Sequence, residues 1–331
     1  MNYFNLRKKI LLTISIISMA FLLCSCTPNT MHSKDGFYFD TIIEITIYDS
    51  ISQKSADKIL TSCMEICEKY EHLFSRTLPG SDIYRFNNET DSLINANHET
   101  CLLVKEALSY AEKTNGLADP TIGNLSDLWD ISPSFVCPSD NDINNALTTV
   151  NYKKVHVDCT KDTISKDSPD IALDLGFIAK GYIADSLKSY LINEGIRSAI
   201  INLGGNILCI GQKPDGNDFK IGIKNPQNPN GNPLTSISIN NKSVVSSGDY
   251  ERFTIIDGHK YHHIISTKNG YPVDNDLSEV TIINDSSCEG DALSTICFIL
   301  GYKEAQTFLE NNYPSVKYIF VGKDGNILAQ N

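Results

Sequence analysis

From Thr41 to Tyr48 apolar and polar positions alternate with the period of a half-buried strand, and from Ala56 to Phe74 apolar residues recur at helical spacing. Leu102 to Lys113 repeats the helical pattern and closes on Asn115-Gly116, a C-cap signal. Lys153 to Asp158 and Ile171 to Leu173 read as strands, and Ile178 to Glu194 as a helix stopped by Gly195. Ala199 to Gly211 reads as a strand broken by paired glycines. Lys220 to Lys224, Ser236 to Ile239, Ser243 to Ser246 and Glu279 to Ile283 read as further strands. Asp291 to Leu300 and Lys303 to Asn311 are expected helices, and Val316 to Val321 a terminal strand. The stretch Asn225 to Pro233, rich in Asn, Pro and Gly, is a loop and not a domain linker. Helical and strand patterns mixed in this way, without a boundary, predict one compact α+β domain.

The N-terminus is patterned differently. Arg7, Lys8 and Lys9 precede an apolar run from Ile10 to Leu23, too short for the roughly 20 residues of a membrane-spanning helix. It reads as a signal peptide. Leu23-Cys24-Ser25-Cys26 resembles a bacterial lipobox, with Cys26 the better acylation site because Cys24 follows bulky Leu23. The expected division is residues 1–25 signal peptide, 26–36 flexible tether and 37–331 enzyme domain, giving an exported lipoprotein held at a membrane outside the cytoplasm.

A net charge of -12 without a basic patch argues against a nucleic-acid partner. Of the ten cysteines, Cys63, Cys67, Cys101, Cys137, Cys159, Cys209, Cys288 and Cys297 fall in the domain. An even number in an oxidising compartment invites disulfides, yet Cys209 and Cys297 sit in apolar runs and suit buried thiols equally well.

Four stretches carry candidate chemistry. In Leu173-Asp174-Leu175-Gly176-Phe177-Ile178-Ala179-Lys180-Gly181 a strand ends in an acid, turns at glycine and opens a helix bearing a lysine, an arrangement that can surround a phosphorylated ligand. Asp174 could equally cap that helix. The glycines of Asn202-Leu203-Gly204-Gly205-Asn206 suggest a bulge or a close backbone approach to a ligand. Val245 to Arg252 is either a binding loop or a polar turn. Asp291 and Thr295, four apart, share one face of a helix at its N-terminus and offer two hard oxygen ligands, which suits magnesium on a pyrophosphate. N-capping would explain Asp291 alone, but not Thr295.

Taken in order, Gly116 to Gly123, Asp174 to Asp185, Asn202 to Asn206, Ser246 to Arg252, His262-His263-Ile264-Ile265 with Gly270-Tyr271-Pro272, and Asp291 to Thr295 closely resemble the ApbE family of FAD:protein FMN transferases. The likeness runs from about Phe39 to the C-terminus. It implies that Leu117, Ala118, Asp119, Asp174, Lys180 and Ile265 contact FAD. It also implies that Asp291, Thr295 and the Phe177 carbonyl hold Mg2+, and that His263 is the general base. The implied reaction moves FMN from FAD to a Thr or Ser hydroxyl of a target flavoprotein and releases AMP. A metal-dependent FAD pyrophosphatase and a non-catalytic FAD-binding lipoprotein are the alternatives. Two positions depart from the family pattern. Phe39-Asp40-Thr41 stands where relatives often carry Met-Gly-Thr, and Thr77 replaces an expected aromatic, so Phe39 or Phe74 is expected to supply the flavin-stacking surface.

Overall fold

The computed structural model describes residues 31–131 and 135–331; the signal segment and Cys26 lie outside them. The strands of the first half are β1 (His32–Tyr38), β2 (Thr41–Ile47), β3 (Leu93–Asn95), β4 (Val155–Asp158), β5 (Thr163–Lys166), β6 (Ala199–Leu203) and β7 (Asn206–Ile210). They continue as β8 (Phe219–Ile223), β9 (Thr235–Ile239), β10 (Ser243–Gly248), β11 (Phe253–Ile256), β12 (His259–His262), β13 (Leu277–Asn284), β14 (Lys317–Gly322) and β15 (Ile327–Gln330). The helices are α1 (Gln53–Phe74), α2 (Asp82–Asn88), α3 (His98–Lys113), α4 (Gly123–Leu128), α5 (Asp140–Leu147), α6 (Ala179–Asn193), α7 (Ser287–Leu300) and α8 (Tyr302–Asn312).

An eight-stranded sheet in the order β1-β2-β6-β7-β10-β13-β14-β15 organises the molecule. Residues of α1, α6 and α7 form one core with this sheet, to which Ile45 and Ile47 of β2, Cys63, Cys67, Leu187, Leu191, Leu293 and Cys297 all belong. A separate ribbon, β8 with β9, brings Phe219, Ile221 and Ile223 to a second core with Val244, Ile283, Ile319 and Val321. Strand β13 is therefore covered on both faces, and Leu277 through Ile283 are all buried. Removing each such aliphatic side chain from water contributes about 1.5–3 kcal/mol. The α+β class expected from the sequence holds.

The elements depart from the sequence reading in four places. Residues 32–36, assigned to the tether, belong to β1, the edge strand paired with β2. Ala199 to Gly211 is a hairpin and not one broken strand: β6 and β7 pair antiparallel, with Leu203 opposite Asn206. Ile171 to Leu173 makes only a single bridge, Ala172 with Ile122, and side chains satisfy part of its backbone. Asn87 donates to Leu173 O at 2.9 Å and accepts from its N–H at 2.7 Å, while the Lys166 ammonium donates to Ile171 O at 3.2 Å. Finally, α7 begins at Ser287 with Ser286 as its side-chain cap, so Asp291 stands in the second turn and not at the N-terminus.

Cys63, Cys67, Cys101, Cys209, Cys288 and Cys297 are buried free thiols, Cys137 is an exposed one and Cys159 lies between.

Candidate active site

A cleft of about 560 Å³ opens where the β1–β2 turn, the C-terminal end of α1, the N-terminal end of α6, the end of β10 and α7 meet. This is the size range of small-molecule sites. Leu117, Ala118, Asp119, Asp174, Phe177, Lys180, His263, Ile265, Asp291 and Thr295 all line it. The fold thus brings together every site residue expected within the described part of the chain.

Asp119 does more than face the cleft. Its carboxylate accepts from Thr121 N at 2.8 Å, Thr121 Oγ1 at 2.6 Å and Tyr152 N at 2.9 Å, which fixes the wall formed by Leu117 and Ala118. Asp174 takes the N–H of Gly176 at 2.8 Å, an Asx turn, and does not cap α6; the cap position is Ile178. The other Asp174 oxygen meets Arg76 Nε at 3.3 Å, and Arg76 also pairs with Asp127. Arg76 thus joins the wall, although no motif marked it. Lys180 stands in the first turn of α6, at the positive end of the helix dipole, a place that favours anions, although Ala179 N–H is taken by Leu175 O at 2.9 Å and Gly181 N–H by Asp291.

Across the cleft, Asp291 is buried and its Oδ2 accepts from Gly181 N at 2.8 Å. Burial raises its pKa, opposed by the charge of Lys180, the Gly181 N–H and the Asn206 amide. Thr295 Oγ1 lies 3.1 Å from Ser247 Oγ. Asp291 and Thr295 contribute a buried carboxylate and a hydroxyl to one lining, which Phe177 shares. This is an all-oxygen donor set that suits a hard divalent cation. Among the described residues no three His, Cys, Asp or Glu side chains cluster as metal ligands, so such a cation would depend on these mixed oxygens and on those of its ligand.

His263 follows β12 directly, at the base of the hairpin it forms with β11, and its N–H donates to Arg252 O at 3.2 Å. Its Nδ1 lies 3.3 Å from the same carbonyl. A carbonyl can only accept, so Nδ1 carries the hydrogen and Nε2 keeps its lone pair. Desolvation by the cleft walls first, then the Arg252 guanidinium and His262, push the His263 pKa down to about 3. Its neighbour His262 is a buried structural histidine bonded to Val273 O at 2.8 Å. Lys260 of the hairpin binds Asp249 at 2.7 Å and Lys323 binds it at 2.8 Å, tying the strand that leads to His263 onto the body.

Both aromatic candidates line the cleft. Phe74 is buried and stacked on Tyr70 at 5.2 Å. Phe39 occupies the β1–β2 turn with φ 52°, followed by Asp40 at 56°. The left-handed backbone survives without glycine because the turn is held from outside: Phe39 N donates to Glu71 Oε1 at 2.7 Å. Trp129 also reaches the lining, stacked on Tyr261 at 5.6 Å with its indole N–H on Gly270 O at 2.7 Å.

A mixed sheet-and-helix domain with a deep cleft combining a helix N-terminus, an oxygen donor set and a neutral histidine defines an enzyme acting on a phosphorylated ligand. The ApbE family profile matches residues 39–320, and the chain belongs to that family. It is 32% identical over 305 residues to an FAD:protein FMN transferase of Klebsiella pneumoniae, covering 91% of this chain and 92% of that protein. With the FAD:protein FMN transferase of Treponema pallidum it shares 29% identity over 313 residues, 90% of this chain and 86% of the relative. The crystal structure of the ApbE protein from Thermotoga maritima superposes with a TM-score of 0.82 at 28% identity, covering 90% and 96% of the two chains. Flavin transferase ApbE from Vibrio cholerae superposes with a TM-score of 0.78 at 26% identity, covering 92% and 97%.

Proposed function

We infer that this chain is an FAD:protein FMN transferase, moving FMN from FAD to a threonine or serine hydroxyl of an acceptor flavoprotein and releasing AMP. The observation that carries the reading is the convergence of His263, Lys180, Asp174, Asp291 and Thr295 on one cleft, in a chain aligned over nine-tenths of its length with FAD:protein FMN transferases. Leu117, Ala118 and Ile265 form the dinucleotide's wall, and Lys180 with the first turn of α6 receives its phosphates. His263 Nε2 takes the proton of the acceptor hydroxyl as its oxygen bonds to the FMN-side phosphorus. The bond from that phosphorus to the bridging oxygen breaks, and AMP leaves with the electron pair. Asp291, Thr295 and the Phe177 carbonyl would hold magnesium, which when bound neutralises charge on the pyrophosphate and the departing AMP. Cys26 would carry the lipid, placing the domain at a membrane outside the cytoplasm.

The test is incubation with FAD, magnesium and a candidate flavoprotein subunit from the same genome, reading the subunit's mass and the AMP released. The expected result is one phosphoester-linked FMN per AMP, abolished by Asp291→Asn. FMN and AMP appearing with no change in acceptor mass would make the protein a pyrophosphatase, and FAD retained without AMP would make it a binding lipoprotein.

A further inference from the structure

The glycine run ending in Asn206 has no part in the reaction as derived above. Gly204 and Gly205 form the two-residue turn between β6 and β7, and Gly204 has φ 64°. A Cβ on Gly204 would lie 2.3 Å from Thr41 Oγ1, so the turn is pressed against the start of β2. The consequence is to deliver Asn206, the first residue of β7, into the cleft lining.

Asn206 is 2% exposed, and its Oδ1 accepts from Ser287 Oγ at 2.6 Å. Ser287 precedes Asp291 by one helical turn on α7, so both stand on the same face. The amide is thus clamped against the helix face that presents Asp291. Its other end is different: among the described residues, Nδ2 is the buried side-chain polar atom left without a hydrogen-bond partner. Buried donors are almost always paired, and leaving one unpaired is costly. The amide also faces Asp291 as a side-chain donor and favours its ionised form, but at a separation that leaves Nδ2 unpaired, while Asp291 Oδ2 takes the Gly181 N–H at 2.8 Å. Nor can Nδ2 hold a metal, since it has donors and no lone pair to give.

We propose that Asn206 is a phosphate-binding residue, whose Nδ2 donates to a non-bridging pyrophosphate oxygen of the dinucleotide seated beside Asp291. This rests on the FAD reading above. The donor is neutral and preplaced by Ser287, so it holds the oxygen without adding to the cation charge supplied by Lys180.

The test measures equilibrium binding of FAD and of riboflavin, which has no phosphate, to the full chain, each in magnesium and in EDTA, beside thermal melting. Asn206→Ala and Asn206→Asp are compared with wild type; the aspartate keeps the acceptor for Ser287 Oγ and removes the donor. Both variants are expected to bind FAD about 10- to 100-fold more weakly with and without metal, the range of one hydrogen bond to a charged group. Riboflavin affinity should be unchanged. A loss confined to magnesium-containing buffer would make Asn206 a support for Asp291 and overturn the assignment. So would equal losses for riboflavin and FAD, or unchanged FAD affinity in Asn206→Asp. Wild-type protein that binds no FAD overturns the functional reading itself; FAD binding without acceptor labelling leaves the assignment standing and removes only the transfer step.

Discussion

His263 shares a cleft wall with Arg252, whose charge adds to desolvation in lowering the pH at which the imidazole can accept a proton. A histidine ordinarily titrates near 6.5; here burial, then Arg252 and His262, bring it to about 3. A general base works deprotonated, so activity falls as pH drops through its pKa. A depressed pKa moves that loss to lower pH. The acid limb of kcat/KM, which reports the free enzyme, is therefore expected well below 6.5. The limb of kcat should lie higher, because a bound pyrophosphate sets negative charge beside the imidazole and favours its protonated form. Arg252→Ala removes a cation, so the acid limb of kcat/KM should move up towards 6.5. pH–rate profiles of the two proteins decide it; coincident acid limbs would exclude Arg252 as a source of the depression. The histidine was marked by its motif, and Arg252 by a stretch legible only as a binding loop or a polar turn, whereas Arg76 gave no signal of a role. A lone arginine in a polar run looks the same whether its partner is solvent or, as for Arg76, Asp174 across 98 residues of chain.

At the scale of elements, the site depends on how closely α6 approaches α7. Gly181 stands where they cross: a Cβ there would lie 2.3 Å from Ser287 O and 2.6 Å from Cys288 Cα. Its N–H, one of the first-turn groups with no helical partner, is the one that holds Asp291. Gly181→Ala would force backbone against backbone, a strain of about 1–3 kcal/mol or more, and would draw Asp291 away from Thr295. The expected result is a lowered melting temperature together with a raised magnesium requirement for transfer, measured by thermal melts and a magnesium titration. Loss of stability with an unchanged magnesium requirement would show that the crossing does not set the metal site. The long helices α1 and α3 were legible because each buries one stripe against a core, which fixes the period of its apolar residues. Strand β1 was not: His32–Tyr38 is an edge strand whose sequence, HSKDGFY, carries no run of alternating apolar residues. Ile171 to Leu173 misled for the opposite reason. It is apolar because it is buried, but its backbone partners include Asn87 and Lys166 side chains, a pairing that leaves no period in the sequence.

At the scale of the molecule, the hairpin of β1 and β2 would separate a lipid carried on Cys26 from the chemistry. β1 enters the sheet at His32, and its far end turns at Phe39 and Asp40 into the cleft lining. Seven strand residues at about 3.4 Å each span about 24 Å. An acyl group on Cys26 would be joined to the end of the hairpin opposite the cleft, through a linker too short to fold back over it: the six steps from Cys26 to His32 reach at most about 20 Å. Anchoring and catalysis should therefore be separable. Stable anchoring takes more than one acyl chain, since a single chain binds membranes only marginally. Cys26→Ser is accordingly expected to shift the protein from the membrane fraction to the soluble fraction while FMN transfer to a soluble acceptor keeps its wild-type rate. Fractionation after high-salt washing, run beside the transfer assay on each fraction, checks both halves. A Cys26→Ser protein that stays wholly with membranes would identify residues 10–23 as an uncleaved anchor, and a soluble but inactive one would mean that the lipid positions the cleft as well as the chain.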